Sequence, residues 1–302
     1  MIGEYIRLIR PNNWYKNIVI FVCLVFSDNI FKYNLWLDLI FAFIILCLLS
    51  GSSYIINDIL DVNKDKNHPI KKKRPIASGK IKINHAIIYS ILLIFLSLVG
   101  AYFINISFLI ISIVFLSVIF LYSTILKKII IIDTIVISIG FVIRAIAGCL
   151  VISVLISPWL IICAFLVSLF LALGKRRHEL ILLGKDAKNH RKILSNYSSQ
   201  MLDQLITITT ATLVMSYSLY TFMADSLYMM ITIPIVIYGL YRYLFLIHIK
   251  NFGGEPEMLF KDKGMLLSMI FWTILVFFIL YIFPKINLIN SYFFQLELLK
   301  LI

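Results

Sequence analysis

The chain holds 302 residues, of which 61% are hydrophobic and only 14% are charged. Soluble domains carry about 25% charged residues, so this composition excludes an ordinary water-soluble fold and favours lipid as the solvent. The formal net charge is +13, which is typical of basic loops beside a membrane and of sites for anionic ligands. Because the basic residues belong to an otherwise apolar chain, we do not expect nucleic-acid binding.

Apolar runs of about the length needed to cross a hydrocarbon core recur along the whole chain. They predict an all-α protein, a polytopic membrane helical bundle of about nine transmembrane helices that forms one domain from residue 1 to residue 302. Connections after the even-numbered runs are rich in Lys and Arg, so the positive-inside rule predicts a cytoplasmic N-terminus. The predicted spans are 18–33, 36–55, 84–104, 106–123, 130–153, 157–173, 203–224, 227–247 and 265–284.

The string NDILDVNKD directly follows the second predicted span. Its Asn57, Asp58, Asp61 and Asp65 are three or four residues apart, so they share one face of a helix that continues past the membrane. Stacked carboxylates need cations, and their oxygens suit Mg²⁺, which one or two carboxylates commonly share with substrate phosphates. We therefore predict a magnesium site with Asp58, Asp61 and Asp65 as ligands. The alternative is a solvated helix end in a charged loop.

The next segment, HPIKKKRPIASG, contains Pro69 and Pro75, and each of them stops a helix. The chain is therefore expected to fold back over the mouth of the bundle. Lys71 and Arg74 then become candidates for phosphate contact, with Arg acting as a bidentate fork and Lys as a point charge. Attraction of the lysine run to anionic lipid headgroups is the alternative.

Charged residues also occur inside or beside later apolar runs. Asp133 and Arg144 are costly in lipid, so they should face the bundle interior with a partner or a ligand. A purely structural buried ion pair is the alternative for them. In GKRRHEL, Lys175 and Glu179 are four residues apart and can pair on one helix face, with Arg176 beside them.

The string NDILDVNKDKNHPIKKKRPIASG resembles the first aspartate-rich motif of the UbiA superfamily of membrane prenyltransferases. This resemblance implies nine helices and a Mg²⁺-diphosphate site at the cytoplasmic mouth of a lipid-accessible cavity. The commoner members transfer a prenyl group from a prenyl diphosphate to an aromatic ring, and they carry a second aspartate-rich motif after the sixth span. This chain has GKRRHEL there instead, with cations in place of acids.

That departure, with RPNNWYKN, LYSTILK, GFVIRAIAG and YRYLFLIH, looks like the decaprenyl-phosphate phosphoribosyltransferase branch. The branch moves a 5-phosphoribosyl group from phosphoribosyl pyrophosphate to a polyprenyl phosphate. The resemblance implies Mg²⁺, a membrane lipid partner, a role in cell wall biosynthesis and a bacterial inner membrane location with a cytoplasm-facing site. The implied catalytic residues are Asp58, Asp61, Lys71 and Arg74, and the implied substrate-binding residues are Lys16, Asn57, Tyr122, Lys127, Asp133, Arg144, Lys175, Arg176 and Glu179, with Tyr122 and Arg144 lining the mouth.

Two other functional classes stay open at the level of sequence. A UbiA-type prenyltransferase with a prenyl diphosphate donor and an aromatic or other acceptor would share the fold, but the missing second aspartate motif disfavours it. A transporter or a non-catalytic lipid-binding protein should show polar residues near the bilayer midplane or inverted repeats. Here the polar residues cluster at one predicted membrane face. Oligomeric state and polyprenyl length do not follow from the sequence.

Overall fold

The computed structural model of the protein describes residues 2–66, 71–183, 192–224, 227–249 and 261–285, and none of these residues lies in a β-strand. Among them, eight helices are long and apolar enough to cross a membrane. The α-helices in chain order are α1 Ile2–Leu8, α2 Val22–Val25, α3 Tyr33–Leu60, α4 Val62–Lys66, α5 Ile83–Ile104, α6 Ile106–Thr124, α7 Ile132–Val151, α8 Pro158–Leu183, α9 Ser199–Met223, α10 Ile233–Ile249 and α11 Lys263–Phe277.

These helices confirm the all-α membrane fold, and eight of the predicted spans correspond to α3 and to α5 through α11. The first predicted span is built differently, because Pro11–Phe21 forms a 3₁₀ helix that leads into the short α2. Apolar composition does not distinguish a 3₁₀ helix from an α-helix, so the sequence pattern could not show this. The cytoplasmic location of the N-terminus stays a prediction.

The chain divides into two compact units. The first unit comprises residues 1–172 and 183–198, and the second comprises residues 173–182 and 199–302. Helix α8 contributes to both, with the residues up to Ala172 in the first unit and Leu173–Leu182 in the second. The expectation of a single membrane domain stays a prediction.

In the first unit, small residues let helix α5 pack closely on α3. Ala86, Ser90, Ser97 and Ala101 are all buried on α5, and the Ser90 hydroxyl donates a hydrogen bond to the carbonyl oxygen of Ser52 on α3 at 3.3 Å. Membrane helices gain no hydrophobic driving force against lipid, so their association depends on close packing of this kind.

Helix α1 lies beside α3 at the end where α3 stops. A Cβ at Gly51 would lie 2.9 Å from the Ile9 Cβ, so glycine at this position permits the close approach. Glu4 accepts hydrogen bonds from Lys80 at 2.7 Å and from Arg7 at 3.3 Å. The hydrogen bond from Lys80 holds the pKa of the Glu4 carboxyl below its ordinary value. The packing of α1 and Ile9 on α3 places Arg10, the residue after Ile9, near the C-terminal end of α3.

The 3₁₀ helix packs directly against α7 at Gly148. A Cβ at this position would overlap the carbonyl oxygen of Ile20 and would lie 2.9 Å from the Cys23 Sγ. The first of these obstacles is backbone, which moves less readily than the end of a side chain. Gly148 is therefore required by the packing of this segment.

We expect Gly148→Ala to lower the free energy of unfolding by about 1–3 kcal/mol, the usual cost of overpacking. Thermal unfolding in detergent micelles measures this effect. Gly239→Ala is the matched control, because Gly239 also lies in a membrane-spanning helix but its added Cβ would meet Ser268 Oγ at an ordinary 3.5 Å. Equal midpoints for Gly148→Ala and the wild type would show that the segment moves away at little cost.

The second unit is held by polar contacts between its helices. Trp272 Nε1 donates a hydrogen bond to the Tyr217 hydroxyl at 2.8 Å, and this hydroxyl also lies 2.7 Å from that of Thr232. Arg242 donates two hydrogen bonds to Asp262, from Nε at 3.0 Å and from Nη2 at 2.9 Å. Asp262 is the N-cap of α11, so this bidentate pair fixes the start of α11 against α10.

Candidate active site

Acidic side chains gather where helix α3 ends. Asp58 lies in the last turn of α3, Asp61 is its C-cap and Asp65 lies in the short helix α4. The backbone N–H of Asp65 donates to the carbonyl oxygen of Asp61 at 2.9 Å, so α4 begins directly after the C-cap of α3. Asp58 and Asp65 are both buried, at 3% exposure. Buried carboxylates require partners.

Arg74 supplies one partner for both buried acids. Its Nη1 donates to Asp58 Oδ1 at 2.9 Å and to Asp65 Oδ2 at 2.6 Å. The segment after α4 thus returns over the end of α3, as the proline spacing predicted, although Pro69 itself lies outside the described residues. Since one nitrogen contacts both carboxylates, the two oxygens lie close together around a single positive charge.

Arg10 is a second partner of Asp58, and the sequence reasoning did not assign it to the site. Its Nη2 donates to Asp58 Oδ1 at 2.5 Å, and its guanidinium lies over the Tyr54 ring, 5.0 Å from the centroid. Arg10 has a φ of 50°, in the left-handed region that is uncommon for non-glycine residues. The pair joins residues 48 positions apart, so local spacing could not reveal it. Its place in RPNNWYKN, a polar cluster before an apolar run, was the available signal.

Lys127 binds the remaining pair of polar side chains on this face. Its Nζ donates to Asn57 Oδ1 at 3.0 Å and to Asp61 Oδ2 at 2.7 Å. Arg10, Arg74 and Lys127 come from three separate segments and meet three carboxylates at the end of α3. The exposed Lys64 also lies 3.7 Å from Asp61 Oδ1.

The turn that carries Lys127 is held by Asp133 and Tyr197. Ile131 has a φ of 67°, which is strained for a β-branched residue. Its backbone N–H donates to the Tyr197 hydroxyl at 2.7 Å, and that hydroxyl donates to Asp133 Oδ1 at 2.8 Å. Asp133 is fully buried. The sequence assigned Asp133 to the cations or the substrate, whereas these contacts give it a part in fixing the turn, and Tyr197 was not foreseen.

Tyr197→Phe removes both of these hydrogen bonds, so we expect it to lower the free energy of unfolding by about 1–3 kcal/mol. We also expect faster amide hydrogen exchange in residues 126–133 than the global loss of stability explains, because the strained turn loses its support. Tyr102→Phe is the control, since Tyr102 is largely exposed. Unchanged exchange in residues 126–133 would show that the turn holds itself.

The other predicted residues of the first unit are placed less closely. Lys16 Nζ donates to Asn13 Oδ1 at 3.0 Å. Lys71 lies half-buried in the 3₁₀ turn Lys71–Lys73, and Tyr122 lies half-buried near the end of α6. Their predicted roles in phosphate binding stay predictions.

Arg144 lies deeper than the mouth position that the sequence suggested. It is twelve residues into α7, and so about 18 Å from the start of that helix. Its Nε donates to Asn17 Oδ1 at 2.6 Å, and its Nη1 donates to the Gly140 carbonyl oxygen at 2.7 Å. It is therefore an interior group.

In the described residues of the second unit, Lys175 and Glu179 do not form the ion pair that their spacing allows. Glu179 instead accepts a hydrogen bond from Arg176 Nη1 at 2.7 Å, because the i,i+3 spacing brings the buried Arg176 beside it. Arg177 pairs with Asp203 at 2.5 Å, and that carboxylate also lies 3.2 Å from His248 Nε2. The proposed contact of Lys175, Arg176 and Glu179 with substrate stays a prediction.

The donor set around Arg74 suits a divalent cation. Within the described residues, no three His, Cys, Asp or Glu side chains are close enough together to hold one metal ion. Mg²⁺, however, is usually bound by one or two carboxylates together with substrate phosphates and water. Asp58 and Asp65 already share one positive group, the Arg74 guanidinium. Residues that converge on a cation in this way fit a magnesium ion shared with a diphosphate.

The chain is similar to known proteins in sequence and in fold. The model of the UbiA prenyltransferase family matches residues 18–270. The decaprenyl-phosphate phosphoribosyltransferase of Mycolicibacterium smegmatis is 31% identical over 90% of this chain and 91% of its own length, and that of Corynebacterium glutamicum is 29% identical over 92% and 87%. A UbiA homolog from Archaeoglobus fulgidus, solved bound to DMAPP and Mg²⁺, superposes with a TM-score of 0.70 at 19% identity, covering 91% of this chain and 98% of that one.

Proposed function

The chain belongs to the UbiA prenyltransferase family, and on that premise we propose that it transfers a 5-phosphoribosyl group from phosphoribosyl pyrophosphate to a polyprenyl phosphate and releases pyrophosphate. Two relatives that it matches over about nine-tenths of its length carry the name of this activity. The proposal includes a bacterial inner membrane location and a site that faces the cytoplasm.

The cluster of carboxylates and cations at the end of α3 carries the proposal. Arg10, Arg74 and Lys127 each donate to a carboxylate in the described structure. A diphosphate offers the same kind of oxygen acceptor, so each cation can exchange a carboxylate for a phosphate oxygen without leaving its place. Phosphoribosyl pyrophosphate brings a diphosphate and a 5-phosphate, and the lipid brings another phosphate, which matches a site rich in cations.

Mg²⁺ is the cofactor that we propose. Asp58 and Asp65 would hold it, with Asp61 as the third acid of the set. When bound, it would neutralise charge on the leaving pyrophosphate. The acids would then receive positive charge from the metal, which leaves Arg10, Arg74 and Lys127 available to the phosphates.

The residues of the chain have positioning and electrostatic work to do. A phosphate oxygen of the lipid forms a bond to the anomeric carbon of the ribose while the bond from that carbon to the pyrophosphate breaks, and the pyrophosphate leaves with the electron pair. The lipid phosphate is already ionised at neutral pH, so no general base is needed. Arg74, with Lys71 nearby in sequence, stabilises the charge that develops on the leaving group. Fixing the two phosphates in line supplies the rest.

The proposal is tested by incubating membranes that contain the protein with ribose-labelled phosphoribosyl pyrophosphate, a polyprenyl phosphate and Mg²⁺. We expect label to enter the organic phase, and we expect a chelator, or omission of the lipid, to abolish the transfer. Membranes without the protein give the background. No transfer, in a preparation that instead prenylates an aromatic acid from a prenyl diphosphate, would refute the proposed substrates and favour the commoner activity of the family.

A further inference from the structure

Arg144 is a buried guanidinium whose protein partners are neutral. Its exposure is 7%, and its hydrogen-bond acceptors are the Asn17 amide oxygen and the Gly140 carbonyl oxygen. The rings of Phe115 and Phe141 lie 4.7 Å and 5.3 Å from it. In the part of the chain that the structure describes, no carboxylate lies within ion-pair distance of this side chain. A buried charge without a counterion is strongly unfavourable, so the arrangement calls for an anion.

The guanidinium has donors to spare for such an anion. An arginine side chain carries five N–H groups in a fixed fork, and two of them are used by Asn17 and Gly140. Asn17 is itself fixed from α3, because its amide nitrogen donates to Cys47 Sγ at 3.2 Å and its oxygen accepts from Ser50 Oγ at 3.3 Å. The orientation of the guanidinium is therefore set by the protein and does not depend on a ligand.

Arg144 also lies at a defined depth below the acidic cluster. Ser50, which contacts the same Asn17 oxygen, precedes Asp58 by eight residues on α3, a rise of about 12 Å. A cation at this depth is therefore separate from the diphosphate that we propose at Asp58, and it is available to a different anionic group.

We propose that Arg144 and Asn17 form an interior anion site that binds a phosphate monoester group, an inference that rests on the proposed function. Two substrates of that reaction carry such a group, the polyprenyl phosphate and the 5-phosphate end of the donor. Either would supply the negative charge that the buried guanidinium lacks. Binding of such a group would explain why the charged Arg144 lies among apolar helices.

Asn17→Asp tests the site by giving Arg144 a carboxylate of its own. The variant keeps the shape of the side chain and should fold at least as stably as the wild type, because it creates a buried ion pair. Asn12→Asp is the matched control, since Asn12 lies exposed on the same 3₁₀ helix. Binding of farnesyl monophosphate and of ribose 5-phosphate to the purified protein, measured by calorimetry in detergent, reports on the two candidate groups without any turnover.

We expect Asn17→Asp to weaken binding of one probe by about thirtyfold or more, because the new carboxylate takes the place of the probe phosphate in a buried charge pair. Asn12→Asp should bind both probes as the wild type does. Loss confined to farnesyl monophosphate identifies the lipid phosphate, and loss confined to ribose 5-phosphate identifies the donor. Wild-type affinity for both probes in Asn17→Asp would overturn the proposal and make Arg144 a structural residue. If Asn17→Asp does not fold, Arg144→Gln, which removes the charge and keeps an N–H donor, answers the same question.

The two proposals fail separately. A wild-type protein that binds a probe, loses it in Asn17→Asp and yet transfers no phosphoribosyl group would refute the proposed function and leave the anion site intact. A wild-type protein that transfers the group, with KM values for both substrates unchanged in Asn17→Asp, would refute the anion site alone.

Discussion

Asp58→Asn is expected to reduce phosphoribosyl transfer by at least about a hundredfold, the scale of losing one preorganised electrostatic contact at a reacting group. Asp58 accepts hydrogen bonds from Arg10 and Arg74, and in the proposed site it also binds Mg²⁺. The neutral amide removes the charge that holds these cations together while it keeps the size of the side chain. Label transfer at several Mg²⁺ concentrations measures the effect, and we expect the concentration of Mg²⁺ for half-maximal rate to rise.

Asp38→Asn is the matched control for this substitution. Asp38 lies on the same helix, twenty residues earlier and near its other end, and it is exposed. It should leave transfer and Mg²⁺ dependence unchanged. If Asp58→Asn kept wild-type turnover and the wild-type Mg²⁺ response, neither the metal site nor the role of the two arginines would stand.

Lys127→Met should lower kcat/KM for phosphoribosyl pyrophosphate by about a hundredfold, as expected for truncation of one partner of a half-buried, hydrogen-bonded charge pair. The substitution leaves Asp61 without the 2.7 Å contact to the ammonium group and Asn57 without its donor. It also removes one of the three cations that are proposed to receive phosphate oxygens. Steady-state kinetics with varied donor concentration separates an effect on KM from one on kcat.

The neighbouring lysine gives a control of the same chemistry. Lys128 is exposed in the same 3₁₀ turn, so Lys128→Met changes the net charge equally and should keep kcat/KM near the wild-type value. A similar loss in both variants would mean that the general positive charge of the loop matters and that the contact of Lys127 with Asn57 and Asp61 does not.

The fold was largely predictable because lipid leaves the chain few choices. Backbone polar groups in a bilayer must be satisfied within a helix or a closed barrel, so long apolar runs translate directly into spanning helices. The segment Pro11–Phe21 was the exception, because its apolar side chains are compatible with a 3₁₀ helix and with an α-helix. Helical spacing also predicted one shared face for Asn57, Asp58, Asp61 and Asp65. In the structure Asp58 and Asp65 meet at Arg74, whereas Asn57 and Asp61 meet at Lys127.

Partners from distant parts of the chain were not predictable in the same way. Arg10 meets Asp58 through the docking of α1 against α3, and Tyr197 meets Asp133 across more than sixty residues. Such pairs depend on tertiary packing, which a single sequence does not display. The sequence did show that Arg144 needs a partner. It did not show that this partner is an amide.

The 3₁₀ form of Pro11–Phe21 has a consequence for Arg10 and Arg144, because this segment connects Arg10 with the helix that carries Arg144. A 3₁₀ helix rises about 2.0 Å per residue with poorer hydrogen bonds than an α-helix, so eleven residues reach about 22 Å on a ladder that is weak by itself. The segment begins directly after Arg10 and contains Asn17, and at Gly148 it contacts α7, the helix that carries Arg144. A displacement of α7 would therefore also move this segment. It would shift Arg10 at the acidic cluster together with Arg144 in the interior.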